Sequence, residues 1–273
     1  MGRNPLQNTS ETISMNSKSK LEKKVSPLSV ASFLKTSWFI TNLIGHSIVM
    51  ATCSVVSYHF SFWRKKEMRQ STSHKCASLW ARGIVSLTPG WKVQVNGQEN
   101  IPSDGKFVLV ANHESATDIF VMYFTGLQFR WLSKASVFKI PFIGQAMHAA
   151  GYIPIERGNK QSHVEAFERS KDVVKSGVPM FYFPEGTRSK TGKVKDFKSG
   201  AFKLAEETDA KIVPIALSGT KNLLVKGSFV PGYASVFVDI LKPITREGNE
   251  SLDSFTQRAR MSIIKQKEIR MKN

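Results

Sequence analysis

Seven short apolar runs, at 91–95, 107–111, 129–132, 152–155, 180–183, 212–217 and 235–241, are separated by segments long enough to hold helices. The first alternates apolar and polar residues, whereas the run at 107–111 is apolar throughout. Among the spacers, 162–175 brings Ala166, Phe167, Val173 and Val174 onto one face at about 100° per residue. Strands alternating with helices of this length predict an α/β fold, a largely parallel sheet flanked by helices. A chain of 273 residues has room for such a domain plus an appendage, and it shows no internal repeat.

The appendage lies ahead of the strands. From Thr36 to Trp63 there are 28 residues without a Lys, Arg, Asp or Glu, long enough to cross a bilayer. Asn42, His46, Ser47, Ser54, Ser57 and His59 make the stretch more polar than an ordinary span. Lys23, Lys24 and Lys35 precede it, and Arg64, Lys65, Lys66 and Arg69 follow it. Positive charge stays on the cytoplasmic side, so two basic flanks favour a membrane-associated hairpin over 36–63 with both ends cytoplasmic. A single span and a buried core helix are the alternatives. Residues 1–35 read as a flexible basic tail and 64–90 as a basic connecting helix. Gly2 does not open a myristoylation signal, because Leu6 stands where Ser or Thr is required.

Lys and Arg number 39 against 21 Asp and Glu, a net charge of +18. That surplus implies an anionic partner, either nucleic acid or an anionic lipid surface. Aromatic residues interleaved with cations on one face, the mark of a nucleic-acid platform, are not found. Cys53 and Cys76 have no metal-ligand or disulfide spacing, which predicts a reducing compartment and no metal site. The segment from Leu252 sets Leu252, Phe255, Ala259 and Ile263 in one stripe. Arg258, Arg260, Lys265, Lys267, Arg270 and Lys272 lie beside that stripe, giving a basic amphipathic C-terminal helix over 251–273.

The chemistry-bearing residues lie just past strand ends, where open α/β sheets hold ligands. The run 107–111 is followed by Asn112-His113-Glu114-Ser115-Ala116-Thr117-Asp118. On one continuous helix His113 and Asp118 would face different ways. With His113 in a strand-to-helix turn and Asp118 in the first helical turn they meet, as a general base and the group that orients it. Such a spacing is common by chance, and a helix cap with a surface histidine explains it equally. Ser115 lacks the elbow motif of a covalent nucleophile. Lys134 and Arg157 follow two other runs. Phe183-Pro184-Glu185-Gly186-Thr187-Arg188 combines a glycine for close backbone approach, a hydroxyl and a guanidinium fork suited to phosphate.

Taken in order, Asn-His-x4-Asp, Gly151-x5-Arg157, Phe-Pro-Glu-Gly-Thr-Arg and Val213-Pro214-Ile215 resemble the four blocks of the 1-acylglycerol-3-phosphate acyltransferase family. The stretch Lys134-x4-Lys139-Ile-Pro-Phe-Ile-Gly144 is similar to that family as well, and the likeness covers 95–214. The resemblance implies transfer of a fatty acyl group from acyl-CoA or acyl carrier protein to the sn-2 hydroxyl of a lysophosphatidic acid. His113 and Asp118 are then catalytic, and Arg157, Glu185, Gly186, Thr187 and Arg188 bind the glycerol phosphate, with Lys134 contributing. The resemblance implies no metal and no resident cofactor. It places a catalytic domain over 91–250 at the cytoplasmic face of a membrane. Another lysolipid acceptor fits the same motifs.

Overall fold

The computed structural model describes residues 30–224 and 227–272. The basic tail expected up to residue 29 lies outside them, whereas 30–35 are already helical. Helix α1 runs unbroken from Val30 to Phe60, and α2 follows at Lys66–Ser86. No hairpin turn falls within α1, and the reversal comes between the two helices.

The polar residues interrupting the apolar run account for this. Ser47 Oγ accepts from Trp80 Nε1 at 3.0 Å, Ser73 Oγ donates to the Ser54 carbonyl at 3.2 Å, and Arg69 lies over the Tyr58 ring. Gly83 permits the close approach, since a Cβ there would stand 2.7 Å from His46 Nε2. The antiparallel pair thus gives the Ser47 hydroxyl a partner that lipid could not. Opposite that seam Phe33, Leu34, Ile44, Ile48 and Val49 are exposed. Among the described residues α1 is the one helix long and apolar enough to cross a membrane.

A seven-stranded sheet follows: β1 Trp91–Asn96, β2 Phe107–Ala111, β3 Arg130–Lys134, β4 Ile153–Ile155, β5 Met180–Tyr182, β6 Lys211–Ser218 and β7 Ala234–Ile240, in the order β1-β7-β6-β2-β5-β3-β4. All neighbours are parallel except β6 and β7. Hence β6, β2, β5, β3 and β4 present their carboxyl ends along one edge. The central strand β2 is buried on both sides, which explains its unbroken apolar run. Phe107, Leu109 and Ala111 pack toward α1 and α2. Val108 and Val110 pack toward α5 (Lys160–Lys175), α6 (Gly200–Glu207) and α7 (Leu252–Lys272). Two further helices, α3 (Asp118–Met122) and α4 (Ile143–Ala149), join the first layer.

A neutral histidine ties α2 to the sheet. His74 Nε2 faces the Leu127 carbonyl at 2.9 Å, so it carries the proton, and Nδ1 accepts from Tyr152 Oη at 3.0 Å. Burial, aided by the Arg130 charge, lowers the His74 pKa to about 3.

Helix α7 is the basic amphipathic helix expected at the C-terminal end. Its apolar stripe is buried against β6 and Phe202, and its cations turn inward to carboxylates. Arg258 meets Glu250 at 2.7 Å, Arg260 meets Asp196 at 3.5 Å, and Lys267 and Arg270 pair with Glu114 and Asp239. Planar guanidinium forks find carboxylates within the domain, and of the helix's cations Lys265 and Lys272 carry no ion pair among the described residues.

Candidate active site

At the carboxyl end of β2 the fully buried Asn112 clamps the neighbouring strand. Its side chain donates to the Leu217 carbonyl at 3.0 Å and accepts from the Leu217 N–H at 2.8 Å. This fixes where the chain leaves β2 and so where His113 stands. Asn112→Ala leaves both Leu217 groups unpaired inside the domain, at about 1–3 kcal/mol for each buried group. The expected result is a clearly lowered thermal unfolding midpoint.

His113 Nδ1 lies 2.7 Å from Asp118 Oδ2, with Asp118 opening α3 as its first residue. The same oxygen accepts from the N–H groups of Glu114 (2.7 Å) and Ser115 (2.9 Å). Three donors converge on this one buried oxygen, and the contact fixes the ring's tautomer with the proton on Nδ1. Nε2 makes no hydrogen bond among the described residues and is left to take a proton. Phe183 stacks on the ring at 4.0 Å between centroids and 17° between planes, which sets its tilt.

Glu185 departs from the expected phosphate-contacting place. It is 4% exposed, and its two oxygens accept from the N–H groups of His113 (2.8 Å) and Lys195 (3.2 Å). Burial pushes its carboxyl above the ordinary value, and those two donors pull it part of the way back. With both oxygens engaged inside the fold, the side chain braces the His113 backbone. The Ser189 N–H donates to the His113 carbonyl at 2.7 Å and completes the brace.

Of the remaining predicted residues, Arg157, Gly186, Thr187 and Arg188 lie on or against this loop. Arg157 Nη2 donates to the Gly186 carbonyl at 2.9 Å, joining the loop after β4 to the loop after β5. Gly186 has φ +70, a left-handed conformation that suits glycine. Thr187 and Arg188 are exposed, and Thr187 Oγ1 accepts from Lys195 Nζ. Lys198 Nζ lies beside Gly186, 3.1 Å from where a Cβ would stand. Lys134 ends β3, in register with Ile155 two residues before Arg157, and has no ion pair among the described residues. Sequence reasoning missed Lys195, Lys198 and the stacking by Phe183. Their signal was a lysine-rich loop after the Phe-Pro-Glu-Gly-Thr-Arg block and an aromatic residue at its head.

The acyltransferase family's sequence profile matches residues 92–218. A 1-acyl-sn-glycerol-3-phosphate acyltransferase of Borreliella burgdorferi is 30% identical over 194 residues, 70% of this chain and 75% of the relative. The chain belongs to the 1-acyl-sn-glycerol-3-phosphate acyltransferase family. The chloroplastic 1-acyl-sn-glycerol-3-phosphate acyltransferase of Arabidopsis thaliana is 37% identical over 217 residues, 79% of this chain and 57% of the relative. One from Brassica napus is 40% identical over 178 residues, 64% of this chain and 51% of the relative. This acyltransferase-family chain therefore spans little more than half the length of those two relatives. In fold it is similar to the crystal structure of the 1-acyl-sn-glycerophosphate acyltransferase PlsC from Thermotoga maritima. The TM-score is 0.74 at 24% identity, covering 88% of this chain and 97% of that one.

Proposed function

We propose that the chain transfers a fatty acyl group from an acyl thioester to the sn-2 hydroxyl of 1-acyl-sn-glycerol-3-phosphate, forming phosphatidic acid. The observation that carries this reading is the 2.7 Å His113–Asp118 contact, which leaves Nε2 without a partner among the described residues. Nε2 removes the hydroxyl proton as the oxygen attacks the thioester carbonyl carbon. Asp118 stabilises the resulting imidazolium. The tetrahedral intermediate collapses with cleavage of the C–S bond, and the proton passes from His113 to the departing thiolate. Acyl chain and hydroxyl oxygen are joined in one displacement, without an acyl-enzyme.

Arg157, Gly186, Thr187 and Arg188 take the glycerol phosphate, Lys195 and Lys198 add charge, and Lys134 contributes from the end of β3. Glu185 acts through the His113 backbone. An apolar cavity of about 190 Å³ supports the lipid character of the substrates. It is lined by Met50, Trp80, Ile119 and Met147 from helices α1 to α4 and by Trp131 from β3, and Ile119 directly follows Asp118. The transfer draws on no metal or resident cofactor, since the thioester is a substrate, with coenzyme A or acyl carrier protein as its carrier. The exposed face of α1 and the basic flanks support work at an anionic membrane surface on its cytoplasmic side.

Arg188→Ala separates this reading from a purely structural role for the loop. Loss of a charged hydrogen bond to phosphate raises KM for lysophosphatidic acid about tenfold or more. The kcat changes little, and a monoacylglycerol acceptor without phosphate feels no such penalty. An equal loss on both acceptors contradicts the assignment.

A further inference from the structure

The cations assigned to the acceptor phosphate follow β3, β4 and β5, on one side of His113. On the other side a second concave site opens where β6 and β7 meet α7. Its volume is about 700 Å³, within the range of small-molecule sites. Lys193, Lys221, Arg260, Lys267 and Arg270 line it together with Glu114 and Glu268. Lys267 and Arg270 are offset by their partners Glu114 and Asp239, and Arg260 is partly offset by the exposed Asp196. Lys193 and Lys221 are exposed and carry no ion pair among the described residues, so the groove keeps a positive surplus. Glu114, on its wall, is the residue after the proposed base.

A two-substrate transfer between two anionic molecules needs two separate cation sites, because like charges held together repel. We propose that this groove receives the phosphate-bearing nucleotide end of the acyl thioester, the adenosine bisphosphate of coenzyme A, with the pantetheine arm passing Glu114 toward His113. The assignment rests on the acyl-transfer reading above. A concave site of this volume suits a nucleotide, whereas a carrier protein presents its phosphopantetheine from a convex face.

The test uses the full chain in detergent micelles. Lys193→Glu/Lys221→Glu raises KM for acyl-CoA about tenfold or more, with kcat and lysophosphatidic acid KM unchanged. Lys265→Glu, on α7 outside the groove, serves as the charge control and changes none of the three. Adenosine 3′,5′-bisphosphate competes with acyl-CoA and not with the lysolipid, and its calorimetric binding to wild type is lost in the double variant. Three results overturn the proposal: an unchanged acyl-CoA KM, a raised lysolipid KM instead, or a raised KM for acyl-carrier-protein donor alone, which makes the groove a protein-docking site. If wild type transfers acyl groups from neither donor, the reaction assignment fails by itself, and the nucleotide titration still decides the groove. Binding to wild type that the double variant loses then supports it, and absent or equal binding sinks it.

Discussion

Replacing His113 with alanine lowers kcat/KM for acyl transfer by about a thousandfold, the middle of the range for a general base. The protein nevertheless stays folded. The imidazole is partly exposed, and the loop is held by the His113 N–H on Glu185, the His113 carbonyl under Ser189, and the Asn112 side chain on β6. None of these contacts uses the ring. The thermal midpoint should therefore move only by what about 1 kcal/mol produces, the usual size of one partly exposed hydrogen bond. Activity and unfolding measured on the same preparation check this. A variant that loses both together would make His113 a structural residue.

Asp118 gives the second large effect, and two substitutions divide its roles. In Asp118→Asn the amide oxygen can occupy the position of Oδ2 and accept from Glu114 N–H, Ser115 N–H and His113 Nδ1. The loop and tautomer survive, but the negative charge that supports the imidazolium is gone. Activity falls by about a hundredfold to a thousandfold, and the amide nitrogen, standing where the buried Oδ1 has no partner, costs as much as one unpaired group, about 1–3 kcal/mol. Asp118→Ala removes the acceptor from all three donors, at about 1–3 kcal/mol for each group left unpaired, so the domain is also visibly destabilised. The comparison is read from kcat and thermal midpoints side by side. Equal destabilisation in the two variants would mean that charge, not geometry, holds the loop.

How far the sequence carried this account depends on how local each signal was. Strand β2 was legible because an element buried on both faces must be apolar at every position, and the observed Phe107–Ala111 coincides with the apolar run. The strand-to-helix turn that joins His113 to Asp118 was legible because the partners lie five residues apart. The direction of β7 was not, since alternation reads the same along either direction. The two basic flanks pointed to a hairpin inside 36–63, whereas the partners of the Ser47 hydroxyl and the Ser54 carbonyl lie on a helix that follows later in the chain. Glu185 shows the same limit. Its block fits a phosphate site, but the N–H it braces lies 72 residues earlier, and only the sheet order brings them together. The charge of α7 was plain, whereas its pairing with Asp239, Glu250 and Glu114 depends on how the helix lies across the sheet.

The most direct measurement is the product formed by detergent-solubilised wild type from a radiolabelled acyl thioester and 1-acyl-sn-glycerol-3-phosphate. The expected product is labelled phosphatidic acid from which an sn-2-specific lipase releases the label. Label on a different lysolipid, with none on this acceptor, would contradict the acceptor assignment, and no acyl transfer to any hydroxyl acceptor would contradict the mechanism built on His113.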